Sequence, residues 1–179
     1  MTRNRSTPPS QRAIKSMIRV DQAGEFGATR IYAGQQAVMG DRAPGSAAVA
    51  GMAAQEEAHL AWFDSEMARR GVRPTLLQPF WHVAGFALGA TTAALGPEAA
   101  MACTAAIETE IDKHYQEQLE ELGDHEPELA AKIAQFRDEE IEHRDHALAA
   151  GAERAPAYPI LSGLIRLGCR AAIELSKRI

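Results

Sequence analysis

The sequence predicts an all-α protein, a bundle of four long helices with two further apolar or amphipathic helices. Three observations carry that reading. Ala is abundant while aromatics make up only 6% of the 179 residues, a balance that favours helices over a β-sandwich. Residues that start and stop helices recur at spacings that suit long helices. Alternating β-branched runs and Asn-Gly or Asp-Gly hairpin turns are absent from the sequence. Hydrophobic residues at 46% and charged residues at 24% exclude wholesale disorder, and the length is about that of one domain. Nine Pro and 14 Gly are too few for a collagenous or low-complexity chain.

Each helix has its own punctuation. Ser10 can cap a first helix running to about Met39, with Gly40 just past its end. Ser46 can cap a second, which reaches Arg70 and is closed by Gly71. Pro97 suits the first position of a third long helix ending before Gly123. Asp124 precedes a fourth, expected to run to about Ala150 and to be followed by Gly151. Between the second and third lies an apolar stretch, Leu76 to Leu95, and after Pro156 a last segment runs from Ala157 to Lys177.

Charge is unevenly placed. Residues 1–20 carry five basic groups and no acid, whereas residues 105–145 carry fourteen acids against four bases. An acidic middle excludes a nucleic-acid groove, which needs the opposite sign. The basic ends suit either an anionic lipid surface or simple solvation. Two cysteines, Cys103 and Cys169, cannot build a disulfide framework or a Cys-rich zinc site, so an intracellular, nearly soluble chain is expected. The start of the sequence has no apolar secretory core; it is Arg-rich like a transit peptide but too short for one.

At helical spacing each long helix should bury one stripe. The first reads Ile14, Ile18, Asp21, Glu25, Ala28, Tyr32, Met39, and the second Val49, Met52, Glu56, His59, Phe63, Met67. The third reads Met101, Ala105, Glu108, Asp112, Tyr115, Leu119, Leu122, and the fourth Leu129, Ile133, Phe136, Glu140, His143, Ala147. Each has a carboxylate near its centre, where a bundle normally places Leu or Ile.

Two of these stripes hold Glu-x-x-His, at Glu56/His59 and Glu140/His143. About half a match is expected by chance, so one alone would say little. The register says more. Glu108 stands 83 residues after Glu25, and Glu140 and His143 stand 84 residues after Glu56 and His59. Tyr32 and Tyr115 each follow their lone Glu by seven residues, so the chain reads as a repeated helical hairpin.

Four carboxylates in an apolar interior are prohibitive unless neutralised, because each buried ion costs several kcal/mol. Protons can do this, and so can two divalent metals. Residues at i and i+3 share a helix face, so the Glu and His of one motif can reach one metal. One Glu from each of two helices plus Glu-x-x-His from each of the others is a di-iron or di-manganese arrangement. Zinc would more often use fewer carboxylates or Cys. The expected ligands are Glu25 and Glu108 as terminal groups, Glu56 and Glu140 as bridges, and His59 and His143 one per metal. Glu57, Glu110, Glu139, Glu142, His114 and His146 are not expected to be ligands, most lying off the stripes on an acidic face. Asp21, Asp112 and Glu139 are candidates for hydrogen bonds to the imidazoles. Tyr32 and Tyr115 suit packing as well as a redox or hydrogen-bonding role.

The segments Arg19-Val20-Asp21-Gln22-Ala23-Gly24-Glu25-Phe26-Gly27-Ala28 and Arg30-Ile31-Tyr32-Ala33-Gly34-Gln35 closely resemble the demethoxyubiquinone hydroxylase family of ubiquinone biosynthesis. So do Phe86-Ala87-Leu88-Gly89-Ala90, Ala100-Met101-Ala102-Cys103-Thr104 and Phe136-Arg137-Asp138-Glu139-Glu140. The likeness runs from about residue 12 to the end, with all six ligand positions filled; Phe26 stands where Tyr is common. The resemblance implies one ferritin-like di-iron domain over residues 1–179, with 1–10 a flexible N-terminus. It implies two iron ions held by Glu25, Glu56, His59, Glu108, Glu140 and His143, through which catalysis would run. The implied activity is O2-dependent hydroxylation of a polyprenylated methoxy-methyl-benzoquinol. The implied location is peripheral, on the cytoplasmic side of the cell inner membrane, or the matrix side of the mitochondrial inner membrane in a eukaryote. An electron donor, a lipid-binding protein of the ubiquinone pathway and a second copy of the chain are the partners to expect, and nucleic acid is not.

The residues support a lipid-like substrate independently. Leu76 to Leu95 holds Phe80, Trp81, Val83, Phe86 and Leu88, but also Gln78, Pro79 and His82, which suits an interfacial or buried helix better than a span. The last segment sets Ile160, Leu164, Leu167 and Ile173 beside Arg166, Arg170 and Lys177. Both segments equally suit a bundle cover or a dimer contact. No Gly-x-Gly-x-x-Gly follows a strand, so electrons come from the quinol, a docked reductase or a nicotinamide. A ferritin- or rubrerythrin-like iron-oxidising or peroxide-scavenging protein would use the same ligands. The apolar segment between the halves argues against a water-soluble cage, and Cys pairs for a mononuclear iron are missing. A metal-free interaction bundle would leave the four Glu unexplained.

Overall fold

Ser10 opens α1 (Gln11–Met39) by accepting a 3.1 Å hydrogen bond from the Ala13 N–H, as its sequence position predicts. The computed structural model describes residues 8–178. Of the expected flexible segment, residues 1–7 lie outside that range. The remaining elements are α2 (Ser46–Arg70), α3 (Gln78–Ala94), α4 (Pro97–Leu122), α5 (Pro127–Ala149), a 3-10 turn (Ala152–Arg154) and α6 (Tyr158–Ser176). Among the described residues there is no strand.

Two boundaries differ from expectation. Ser46 is the first residue of α2 rather than its cap; Gly45 takes that place at φ 86°, a left-handed turn open to glycine, and the Ser46 hydroxyl is buried without a hydrogen-bond partner among the described residues. The fourth long helix starts at Pro127, two residues later than expected, because proline's fixed φ suits a first turn and its missing N–H costs nothing there.

The helices α1 and α2 form one antiparallel hairpin and α4 and α5 another; α3 crosses between them, packing mainly on α1, while α6 packs mainly on α4. This is a ferritin-like helical bundle with one long crossover. Two apolar layers fill it. One, at the start of α1 and the end of α2, includes Ile18, Phe63, Leu122, Leu129 and Ile133; the other, at the opposite end, includes Val49, Met52, Met101, Ala105 and Ala147. Each large apolar side chain so buried contributes about 1.5–3 kcal/mol. The glutamates at the middle of each helix fall between these layers.

Small residues set how closely α3 approaches α1. A Cβ on Gly89 would come within 1.9 Å of the Ile31 carbonyl oxygen, and one on Gly34 within 2.2 Å of the Phe86 carbonyl oxygen. Gly163 of α6 meets nothing within 4 Å. Gly89→Ala should therefore cost about 1–3 kcal/mol, lowering Tm by several degrees. Gly163→Ala should be neutral or stabilising by up to about 1 kcal/mol. Thermal unfolding followed by circular dichroism checks the pair; equal effects would contradict the close packing.

Candidate metal centre

Each helix brings its glutamate to the bundle axis because the apolar residues of its buried stripe, packed in the layers on either side, fix the rotation of that helix. Glu25, Glu56, His59, Glu108, Glu140 and His143 are all buried. They form two sets of four, Glu25/Glu56/His59/Glu140 and Glu56/Glu108/Glu140/His143, in which one donor atom from each residue lies within 4.8 Å of the others. Glu56 and Glu140 belong to both sets, the position a bridging carboxylate needs.

The imidazoles are held from outside. His59 Nε2 lies 2.5 Å from Glu139 Oε2, and His143 Nε2 lies 2.8 Å from Gln55 Oε1. Both partners are acceptors, so Nε2 carries the proton and Nδ1 faces the carboxylates. His59 Nδ1 is 3.0 Å from Glu140 Oε1 and 3.5 Å from Glu25 Oε2, yet it is aligned for a hydrogen bond with neither. His143 Nδ1 sits 3.1 Å from Glu140 Oε2 and 3.2 Å from Glu56 Oε1. His143 Nδ1 has Glu140 as a hydrogen-bond partner, whereas His59 Nδ1, aimed between carboxylate oxygens with no hydrogen-bond partner among the described residues, has the stance of a ligand. Buried Glu56 Oε1 likewise has no hydrogen-bond partner among the described residues.

The tyrosines act across the bundle. Tyr115 of α4 donates to Glu25 Oε1 of α1, and Tyr32 of α1 donates to Glu108 Oε1 of α4 at 3.3 Å. With Gln55 on His143 and Glu139 on His59, every one of these contacts joins one hairpin to the other.

Burial, and then repulsion from the neighbouring carboxylates, pushes Glu56 and Glu108 well above the usual carboxylate range. For His59 burial acts downward, but contacts with Glu140 and Glu25 outweigh it and raise the imidazole to about 11. For Glu140 burial acts upward, and the close contacts with the imidazoles of His143 and His59 overcome it and hold the carboxyl below its ordinary range. Without cations the cluster therefore holds protons. Divalent ions would displace them, and the donor set of four carboxylates and two imidazoles fits iron or manganese.

Several neighbours sit where the sequence did not place them. Glu57, Glu142 and His146 are exposed as expected, but Glu110 and His114 are buried. Glu110 is held by Arg166 and Arg170 of α6 at 2.6 and 3.4 Å, and by Lys113. Asp21 does not reach an imidazole of the six; it lies 3.1 Å from His114 Nε2. Asp112 pairs instead with Arg137 and Arg144, because it points outward from α4 toward α5. Of the three candidates, only Glu139 makes a hydrogen bond to His59 or His143. Gln55 was missed; its place directly before Glu56, matching Glu139 before Glu140, was the available signal.

An apolar cavity of about 430 Å³ opens between α1, α3, α4 and α6, with Gly27, Ile31, Trp81, Leu88 and Leu164 in its wall. A small space beside the glutamates shares Val20, Gly24, Ala28, Ile107, Ile111 and Ile173 with it, so the cavity backs onto the acidic cluster.

The chain matches the family model described as ubiquinone biosynthesis protein COQ7 over residues 12–176. The chain belongs to the COQ7 family. Within that family it is 56% identical over 172 residues to the 3-demethoxyubiquinol 3-hydroxylase of Rhodospirillum rubrum, covering 96% of this chain and 81% of that protein. To the human mitochondrial NADPH-dependent 3-demethoxyubiquinone 3-hydroxylase it is 51% identical over 174 residues, covering 95% and 80%. The mitochondrial 5-demethoxyubiquinone hydroxylase of Saccharomyces cerevisiae is 42% identical over 182 residues, covering 93% and 78%. The relatives are thus named as hydroxylases of ubiquinone biosynthesis. Among the described residues of this COQ7-family chain no helix is long and apolar enough to cross a membrane.

Glu139→Ala and Gln55→Ala should each weaken divalent-metal binding about 10–100-fold while leaving helical content unchanged. Competitive chelator titration checks this, and wild-type affinity in both variants would mean that the imidazoles are fixed by something else.

Proposed function

We propose that this protein is an O2-dependent di-iron monooxygenase that hydroxylates a polyprenylated methoxy-methyl-benzoquinol in ubiquinone biosynthesis. The observation that carries the reading is the pairing of two overlapping acidic quartets with an apolar cavity that backs onto them. Glu25 and Glu108 would serve as terminal ligands, Glu56 and Glu140, which belong to both quartets, would be shared, and His59 and His143 would go one to each iron. Bound iron supplies the activation of O2 and the oxidising power for the ring. The chain does the rest. Tyr115 and Tyr32 hold the two terminal carboxylates in place, and their buried phenols, pushed well above the ordinary range, stay neutral. Leu88, Ile107 and Ile111 exclude water from the quinol ring. Electrons come from a reduced nicotinamide, as the names of the mammalian relatives state for those proteins.

The substrate arrives from a membrane surface. Phe80, Val83, Ile160, Leu164 and Leu167 of α3 and α6 are all more than half exposed. On α6 Ile165 packs inward and Arg166 and Arg170 reach back to Glu110 of α4, which leaves Ile160, Leu164 and Leu167 facing outward. A lipid surface is the environment in which that costs least. This reading places the protein peripherally on an inner membrane; the human and yeast relatives are named as mitochondrial.

Glu140→Ala should abolish both iron binding and hydroxylation, and two irons per chain in that variant would contradict the bridging role. Phe80→Ser with Leu164→Ser should reduce flotation with anionic liposomes while leaving two irons bound. Turnover of a prenylated quinol by the iron-loaded wild type tests the activity itself; peroxide scavenging or ferrous oxidation without ring hydroxylation would replace it with an iron-handling role.

A further inference from the structure

A second cavity, with polar and charged side chains in its wall beside Ala13, Met17 and Val20, lies next to the acidic cluster. Its volume is about 220 Å³, and it opens beside Ser16, Glu117, Gln118, Glu121 and Lys177, sharing only Val20 with the apolar cavity. His114 lines both this cavity and the space of about 30 Å³ beside Glu25, Glu56, Glu108 and Glu140, whose wall also includes Asp21 and Tyr115. Gln118 Nε2 donates to Asp21 Oδ1 at 2.7 Å, and His114 Nε2 lies 2.9 Å from Gln118 Nε2 and 3.1 Å from Asp21 Oδ1.

Two atoms of this group are left over. Asp21 Oδ2 and Gln118 Oε1 are buried and have no hydrogen-bond partner among the described residues. An acceptor so placed costs roughly 1–3 kcal/mol unless water reaches it. A space of this size with several polar groups in its wall has room for a water molecule.

We propose that Asp21, His114 and Gln118 form a water-filled proton path from the solvent at Lys177 to the acidic cluster, separate from the apolar route taken by the substrate. The inference rests on the hydroxylase reading. Hydroxylation of a ring C–H by O2 places one oxygen in the new C–O–H group and releases the other as water. A reduced nicotinamide gives a hydride, so one further proton enters per turnover. The apolar cavity, filled by a prenyl chain, cannot carry it. His114 is the one titratable side chain common to both spaces. Asp21 of α1, Glu117 and Glu121 of α4, and Glu174 and Lys177 at the end of α6 are the charged groups around it. Burial pushes the Asp21 carboxyl up, and contact with His114 pulls against that. Tyr115 keeps its proton on Glu25 and is not a carrier.

Two measurements on the full chain test the path. In a high-resolution crystal structure of the metal-free protein, ordered waters should bridge Asp21 Oδ2 and Gln118 Oε1 and lead outward past His114. A dry gap there would overturn the proposal whatever the substrate. His114→Ala should bind two irons as the wild type does, keep its KM for the quinol, and lose about 100-fold in kcat with a larger solvent deuterium isotope effect. Imidazole should restore much of the rate, whereas pyrazole, of the same shape but far less basic, should not. Wild-type kcat, or equal rescue by both azoles, would mean that His114 only fills space. If the wild type fails to hydroxylate quinols at all, the reading of function falls, and the crystal structure alone decides whether the water path exists.

Discussion

Four carboxylates at the centre of a helical bundle have to be neutralised, and the rest of this structure is arranged around that constraint. Apolar layers above and below the glutamates exclude water, which deepens the cost of their charge. The same layers also fix the rotation of each helix, so the carboxylates meet instead of escaping to the surface. Protons on Glu56, Glu108 and His59 relieve the repulsion in the absence of cations. Two divalent ions would relieve it more completely and bind the four helices to one another.

The contacts that support the cluster all cross between hairpins. Glu139 and Gln55 each hold an imidazole from the other half, and Tyr32 and Tyr115 each hold a carboxylate from the other half. Neither α1/α2 nor α4/α5 alone could assemble the site. The crossover α3 and the final α6 then close the bundle on the side of α1 and α4 with apolar surface both inside and outside. That gives the acidic centre a lipophilic approach through the wall of the bundle.

The six central residues were legible because two independent periods, the helical spacing and the 83- to 84-residue offset, selected the same positions. What lay beyond them was less so. Glu110 looked like part of a solvated acidic face, but Arg166 and Arg170 approach it from 56 and 60 residues away in sequence. Asp21 lies on the buried stripe of α1, and its partner His114 lies on α4; no local pattern links them. Asp112 was grouped with the buried stripe, whereas arginines of α5 draw it outward.

Composition, capping residues and the spacing of apolar and acidic positions determine by themselves that this chain makes long amphipathic helices with glutamates at their middles. Such signals act within a helix or between positions at a fixed offset along the chain, and the sequence displays both. Tertiary structure alone decided which imidazole meets which acceptor, where the apolar cavity opens, and that Arg166 and Arg170 of α6 reach back to Glu110 while Ile160, Leu164 and Leu167 stay exposed. Those outcomes depend on how separate helices rotate and cross, which is settled by packing between residues far apart in the chain.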